Sequence, residues 1–165
     1  GDAGMTMADH AFDPNLDLVL ERELDVPPEL VWVAWTTPEH VMKWIAPRPY
    51  ETVECEIDLR PGGIFRTVMR SPDGETMQAV AGCVLEVVEH RRFVWTEAMG
   101  PGFRPVASDL PFTAIITMEP TDSGTRYRAV AVHGSPETRT EHEKLGFHEG
   151  WGTALDQLVE VAQGL

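Results

Sequence analysis

Positive charge and cysteine are both scarce in this chain of 165 residues. Lys and Arg total 13 against 27 Asp and Glu, which gives a formal net charge of −14. Such a charge repels phosphate backbones and anionic lipid headgroups, so it argues against a nucleic-acid partner and against binding to a membrane surface. The two cysteines, Cys55 and Cys83, lie alone within apolar stretches. We expect two buried thiols in a reducing cytoplasm, and a disulfide between them is the alternative.

Long apolar runs are also missing. No run approaches the roughly 20 residues that cross a bilayer, and no basic-then-apolar segment opens the chain, so we expect no membrane insertion and a cytoplasmic location. Apolar residues nevertheless make up 42% of the composition, and a chain of this length buries about 70% of its unfolded surface. The sequence therefore predicts one globular domain over residues 16–165, after a flexible N-terminal tail over residues 1–15.

The motifs of several enzyme classes are absent too. The chain has neither a P-loop nor a G-x-G-x-x-G, and Ser135 lacks the glycine spacing of a nucleophile elbow. His142-Glu143 begins like a zinc-protease motif, but Gly146 stands where the second histidine is needed. His148 follows at a position about 240° around a helix, which places it on a different face. We therefore expect no metal and no cofactor.

Hydrophobic periodicity predicts the order of the elements. Alternation predicts a strand over residues 16–25, and Pro28 and Pro38 begin two short helices. A period of two then predicts further antiparallel strands over residues 52–59, 64–70, 75–89, 93–98, 111–119 and 125–133. Within the segment 75–89, simple alternation places Cys83, Leu85 and Val87 on one face.

The C-terminal segment has the pattern of a helix. An apolar stripe at helical spacing follows residue 138 and predicts one long helix to the end of the chain. Because the helices lie at the ends of the element order, we expect the sheet to curl around this last helix.

The predicted concave face of the sheet carries few polar groups. Strand parity places Arg22, Thr67, Glu97, Tyr127 and His133 there, among apolar side chains. Buried polar groups need partners, so this set predicts a mostly apolar pocket with a few polar contacts; the alternative is that several of them lie at strand ends in water. The candidate acid–base residues are His133, Glu97 and Tyr127. The candidate ligand-binding residues are Trp44, Phe65, Met69, Trp95, Phe112, Tyr127, His133, Phe147, Trp151 and Leu155.

Two further features bear on such a pocket. Residues 99–110 form a connection that is long for a hairpin, which is typical of the rim of a site. Gly146, Gly150 and Gly152 interrupt the predicted terminal helix, each at a cost of about 1 kcal/mol relative to alanine. These glycines indicate either close packing of the helix on the sheet or space for a ligand beside Trp151.

Four stretches of the chain carry a resemblance to a known family. They are residues 22–27, 28–44, 58–63 and 150–158, and the predicted hairpin over residues 82–96 fits between them. In this order they resemble the bacterial homologues of the C-terminal domain of the Hsp90 ATPase activator (AHSA1-like). These belong to the START-like superfamily, also called SRPBCC, the polyketide cyclase group or the Bet v 1-like group. The resemblance covers about residues 16–163.

The resemblance implies an α+β helix-grip fold, in which a seven-stranded antiparallel sheet wraps a long C-terminal helix around an apolar cavity. Its members include small-molecule carriers, sensors, cyclases and a chaperone activator. We therefore expect a module that binds a hydrophobic or amphipathic small molecule.

Two other functions remain as alternatives. One is an enzyme of cyclase, aromatase or hydrolase type that uses His133, Glu97 and Tyr127. The other is a protein-interaction module, such as a chaperone regulator or a partner in a stress response. Since proteins of this family often pair, a homodimer is a further expectation.

Overall fold

Nine strands and four α-helices are present in residues 10–165, the part of the chain that the computed structural model describes. The strands are β1 Asp17–Leu24, β2 Glu51–Ile57, β3 Ile64–Arg70, β4 Val80–Val88, β5 Arg92–Thr96, β6 Met99–Gly100, β7 Arg104–Pro105, β8 Thr113–Thr121 and β9 Gly124–Val132. The helices are α1 Pro28–Thr36, α2 Pro38–Trp44, α3 Pro136–Lys144 and α4 Phe147–Gln163.

Seven strands form one antiparallel sheet. Their order across the sheet is β1-β9-β8-β5-β4-β3-β2, and α4 lies against its concave face. This confirms the predicted α+β helix-grip architecture, including the two short helices after the first strand. Each of these helices begins with a proline in its first turn, where the missing N–H has no intrahelical partner to lose.

The N-terminal part of the predicted tail, residues 1–9, lies outside the described residues. Near the start of the described part, the Leu16 N–H donates to the Asp13 carbonyl at 3.0 Å and closes a turn. The ring of His10 lies 2.7 Å from the buried carboxylate of Asp17, which holds this segment against the first strand.

The main core fills the space between the concave face of the sheet and helices α1, α2 and α4. Phe93, Ile116 and Met118 from the sheet and Leu155 and Leu158 from α4 are almost completely buried in it. A smaller cluster of Val94, Ile115 and Val130 lies on the other face of the sheet. Burying this much apolar surface at one face provides the main stabilisation of the fold.

Side-chain contacts fix α4 to the rest of the core. Gln157 is buried and donates to the carbonyls of Trp44 and Ala46, at 2.8 and 2.9 Å, where α2 ends. The preceding residue, Asp156, accepts a 2.6 Å hydrogen bond from Arg22 of β1. These contacts link α4 to β1 on one side and to the end of α2 on the other.

The predicted single C-terminal helix is two helices. Ser135 caps α3 by accepting a hydrogen bond from the Thr138 N–H at 3.1 Å. Between α3 and α4, Gly146 has a φ of +96°, in the left-handed region that favours glycine. The chain therefore turns at Gly146, and periodicity alone does not reveal the change of direction.

Strand β4 departs from simple alternation. Its pairing with β5 skips one residue between Val84 and Glu86, so Leu85 forms a bulge. Leu85 consequently packs on the outer cluster while Val87 packs on the main core. The prediction that Leu85 and Val87 share a face is wrong because the bulge reverses the parity, and the strand itself begins at Val80 rather than near residue 75.

The long connection over residues 99–110 has its own structure. It begins with the short ribbon of β6 and β7 around a helical turn over Pro101–Phe103. The Gly102 N–H donates to the Gly62 carbonyl at 2.8 Å, so the first half of the connection packs on the turn before β3.

Both cysteines are free thiols. Cys83 is fully buried and Cys55 is half-buried, with its pKa raised to about 11 by burial. In the described part of the chain, no helix combines the length and apolar character that a bilayer crossing requires.

Candidate functional site

A cavity of about 490 Å³ lies between the concave face of the sheet and helices α2 and α4. Its walls are mostly apolar and aromatic. Besides the indole nitrogens of its tryptophans, the polar side chains of the lining are Thr67 of β3, Glu97 at the end of β5, Tyr127 of β9 and His142 of α3. The indole N–H of Trp95 is buried without a hydrogen-bonding partner among the described residues. The cavity is therefore an oily compartment with a sparse set of polar groups.

Nine of the ten predicted ligand-binding residues line this cavity. They are Trp44, Phe65, Met69, Trp95, Phe112, Tyr127, Phe147, Trp151 and Leu155. Their role in binding remains a prediction. For Phe65, Met69, Trp95 and Tyr127, parity gives the correct face because β3, β5 and β9 keep regular alternation through these positions.

His133, the tenth predicted residue, does not line the cavity. Its Nδ1 lies 2.7 Å from the Leu16 carbonyl and its Nε2 lies 2.8 Å from Nδ1 of His142. His142 is the histidine that reaches the cavity wall, where its ring contacts Phe112 and Phe147 at centroid distances of 4.8 and 5.3 Å.

The two histidines are neutral at physiological pH. Burial, together with the proximity of His133, lowers the pKa of His142 to about 4. Burial also lowers the pKa of His133. A carbonyl oxygen only accepts, so the Leu16 carbonyl requires a proton on Nδ1 of His133. Its Nε2 is then an acceptor, and Nδ1 of His142 donates to it.

Glu97 is the carboxyl group of the cavity lining. It makes no side-chain hydrogen bond to the other residues that the structure describes. Burial raises its pKa to about 7 because the low-dielectric surroundings disfavour the charged form. Glu97 therefore changes its charge near neutral pH.

Tyr127 has a structural partner. Its hydroxyl accepts a 3.0 Å hydrogen bond from Nε1 of Trp35, and both side chains are buried. Burial raises the pKa of Tyr127, so the phenol stays protonated.

The three candidate acid–base residues do not bond to one another. His133 bonds to Leu16 and His142, Tyr127 bonds to Trp35, and Glu97 bonds to neither of the other two. General acid–base catalysis needs groups within hydrogen-bond reach of a common substrate, and His133 is not on the cavity wall.

The mouth of the cavity is rimmed by exposed apolar side chains. Met77 and Val80 before and at the start of β4 are 45% and 41% exposed, and Leu145 at the end of α3 is 71% exposed. From the connection over residues 99–110, Leu110 alone lines the cavity. The expectation that this connection forms the rim therefore holds only for its last residue.

Gly150 and Gly152, near the start of α4, have different surroundings. Gly150 lines the cavity, and a Cβ built there would have no atom within 4 Å. A Cβ at Gly152 would lie 3.3 Å from the guanidinium of Arg22. Gly150 thus leaves space in the cavity, whereas Gly152 makes room for the contact between β1 and α4.

Sequence reasoning missed His142 as a cavity residue. Its position depends on α3 being a separate helix, which the serine cap at Ser135 and the left-handed glycine at 146 together define. Ser135, a typical N-cap residue, and Gly146, a typical helix-ending residue, are the sequence features that could have identified α3 as a separate helix. No three His, Cys, Asp or Glu side chains converge on a common metal position in residues 10–165.

Comparison with known proteins places the chain among structurally characterised relatives. The family profile described as Activator of Hsp90 ATPase homolog 1-like protein matches residues 25–163. The crystal structure of protein NE0264 from Nitrosomonas europaea is 47% identical, with a TM-score of 0.89 over 93% of this chain and 97% of that chain. No functionally curated protein matches the chain.

Two more distant structures are also similar. Protein Ms6760 from Mycobacterium smegmatis is 28% identical, with a TM-score of 0.74 over 89% of this chain and 90% of that chain. An AHSA1-like protein from Aeromonas hydrophila is 19% identical, with a TM-score of 0.69 over 90% of this chain and 93% of that chain, and it supports the fold alone.

Proposed function

The chain belongs to the family of Activator of Hsp90 ATPase homolog 1-like proteins, and from this premise we propose that it binds a hydrophobic or amphipathic small molecule in its internal cavity. The observation that carries the proposal is the cavity of about 490 Å³. Ligand pockets commonly have volumes of about 300–1,000 Å³, apolar walls and a few polar groups, as this one has.

The rim of the cavity supports the same proposal. Met77, Val80 and Leu145 expose apolar surface at the mouth of the cavity, and this exposed surface does not stabilise the core. Apolar side chains at an opening lower the cost of moving an oily ligand from water into the cavity. The two unbridged thiols of Cys55 and Cys83 support a cytoplasmic location, which we also propose.

The test is to fill the cavity without disturbing the fold. Gly150→Phe places an aromatic ring where a Cβ meets no neighbour, and it replaces a helical glycine with a better helix former. The matched control is Thr153→Phe, which adds the same ring at an exposed position of α4. The probe is N-phenyl-1-naphthylamine, an uncharged dye whose fluorescence rises in apolar surroundings.

We expect saturable fluorescence enhancement with the wild-type protein and the Thr153→Phe variant, and at least a tenfold weaker response with Gly150→Phe. Circular dichroism and chemical unfolding verify that each variant is folded. Equal dye binding by the two variants, or no saturable binding by the wild-type protein, would contradict the proposal.

The alternative functions have less support. The residues of the predicted acid–base set do not meet, so we favour binding over catalysis. A homodimer and a chaperone partner remain predictions.

A further inference from the structure

In the described part of the chain, the cavity lining contains an acidic side chain but no lysine or arginine to pair with it. This side chain is Glu97, the one carboxyl group among the lining residues described. An ionised Glu97 therefore has no cationic partner within the cavity wall. An ionised carboxylate in apolar surroundings is unfavourable unless a positive charge pairs with it.

His142 adds a second acceptor to the same wall. Since the Leu16 carbonyl and His133 together require the proton of His142 on Nδ1, its Nε2 carries a lone pair. No side chain of residues 10–165 bonds to this nitrogen, and the His142 ring lines the cavity. A ligand that donates hydrogen bonds suits this group, whereas a ligand that only accepts does not.

Phe112 brings these two acceptors to one end of the cavity. The Glu97 N–H donates to the Phe112 carbonyl at 2.9 Å, and the Phe112 ring lies 4.8 Å from that of His142. The centroid of the Phe112 ring lies 5.5 Å from that of Trp95 and 5.9 Å from that of Trp151. This polar end thus combines a carboxyl group and an imidazole acceptor with aromatic rings, and the faces of such rings attract cations.

We propose that the cavity takes an amphiphile whose polar end is a protonated amine, with the ammonium group at Glu97 and His142 and the apolar body among the aromatic side chains. This assignment rests on the proposed function of the cavity. An ammonium group supplies the positive charge that Glu97 lacks and donates to Nε2 of His142. The net charge of −14 further favours a cationic ligand over an anionic one.

Other titratable groups around this end do not supply the missing charge. His142 is neutral because burial lowers its pKa to about 4, and the raised pKa of Tyr127 keeps its phenol neutral. Arg22 faces Tyr127 from β1 but is paired with Asp156 at 2.6 Å. Glu97 is thus the group of this cavity end that changes charge around neutral pH.

The test compares three ligands that share a ten-carbon chain: decylamine, decanol and decanoate. Each displaces N-phenyl-1-naphthylamine from the wild-type protein at pH 8. We expect decylamine to bind at least about tenfold more tightly than decanol, the ratio that one charge-assisted hydrogen bond provides, and decanoate to bind most weakly. At pH 6 most of Glu97 is protonated, so the preference for the amine falls by up to about tenfold.

Two charge variants separate the site from the general negative charge of the protein. In Glu97→Gln the preference for decylamine over decanol and its dependence on pH both disappear. In Glu149→Gln, which removes the same charge from an exposed position on α4, both persist. A preference that survives in Glu97→Gln would show that the whole surface attracts the amine and would overturn the assignment.

The remaining outcomes distinguish the two proposals. If all three ligands displace the dye equally, or if decanol or decanoate binds more tightly than decylamine, the amine assignment is wrong and the cavity still binds apolar molecules. If no ligand displaces the dye and Gly150→Phe has no effect on dye binding, the proposed function fails together with the amine assignment.

Discussion

At the scale of single residues, Glu97 is an ionisable group placed in unfavourable surroundings. Burial raises its pKa from an ordinary value near 4.5 to about 7, and it has no hydrogen-bonding partner among the described side chains. A group of this kind lowers the stability of the fold once it is ionised. Such residues are retained more readily in a binding site than in a core, where an apolar side chain packs better.

The first prediction concerns the pH dependence of stability. Between about pH 4.5 and pH 7 folded Glu97 holds a proton that the unfolded chain has released, so its contribution to the free energy of unfolding falls as the pH rises. Glu97→Gln lacks this penalty. Across this interval we expect the free energy of unfolding of the variant to rise by about 2 kcal/mol relative to that of the wild-type protein. This value is smaller than the full pKa shift would give, because water in the open cavity screens the charge. Urea unfolding between pH 5 and 8 measures it, and parallel pH profiles would contradict it.

The second prediction concerns His133 and His142. Both rings carry their proton on Nδ1, because the chain of contacts begins at a carbonyl oxygen that only accepts. We expect long-range ¹⁵N–¹H correlation spectra to show two Nδ1–H tautomers that persist down to about pH 5, since the pKa of His142 is about 4. An Nε2–H tautomer at His142 would contradict the proton arrangement and would make this nitrogen a donor rather than an acceptor.

Sequence reasoning locates cavity residues where the backbone is regular. Alternation along β3 and β9 correctly places Phe65, Thr67 and Tyr127 on the concave face. It fails for His133, which continues the parity of β9 just beyond the end of the strand. There the ring is directed by its hydrogen bonds to Leu16 and His142, and those partners are distant in sequence or on another element.

At the scale of elements, the stretches that carry the family resemblance hold the helices on the sheet. Arg22 and Asp156 join β1 to α4, and Gln157 accepts from the Arg48 N–H and donates to carbonyls at the end of α2. Because these contacts hold the helix-grip arrangement together, the stretches that contain them identify the fold. The same stretches also contribute to the cavity wall, through Trp44, Gly150 and Trp151, while most of its polar groups come from the sheet.

The third prediction compares two glycines four residues apart. Gly146→Ala forces a left-handed φ of +96° on a residue with a Cβ, so we expect a loss of about 1 kcal/mol. Gly150→Ala adds a methyl group in open space within a helix, so we expect a gain of about 1 kcal/mol. Equilibrium unfolding of both variants measures the difference in sign. If Gly146→Ala were neutral, α3 and α4 would not be separated by this turn.

Elements also mark where prediction from sequence ends. The bulge at Leu85 adds one residue to β4, and this reverses the face of every later side chain in the strand. No glycine or other turn-forming residue marks the bulge in the sequence, since Leu85 lies between Val84 and Glu86 in an otherwise regular pattern. Its position is set by the pairing with β5, which is a tertiary property.

At the scale of the whole molecule, the cavity follows from the architecture. A strongly curled sheet closes around one helix, and the side chains of α4 next to Gly150 are too few to fill the space that the curvature encloses. The rest of the core is well packed, with Phe93, Ile116 and Leu158 fully buried. The molecule therefore tolerates an unfilled volume at one end because the other end supplies the stability.

The fourth prediction links ligand binding to the stability of the whole fold. A molecule that binds the folded cavity and not the unfolded chain stabilises the protein by about 2.7 kcal/mol at a free concentration near 100 times its Kd. For a domain of this size the midpoint of thermal unfolding should rise by about 5–10 °C. Scanning calorimetry with N-phenyl-1-naphthylamine measures the shift in the wild-type protein and in Thr153→Phe, whereas Gly150→Phe, whose cavity is occupied by its own ring, should show none. Because the dye has the same access to the outer surface in all three proteins, an equal shift in each would locate its binding outside the cavity.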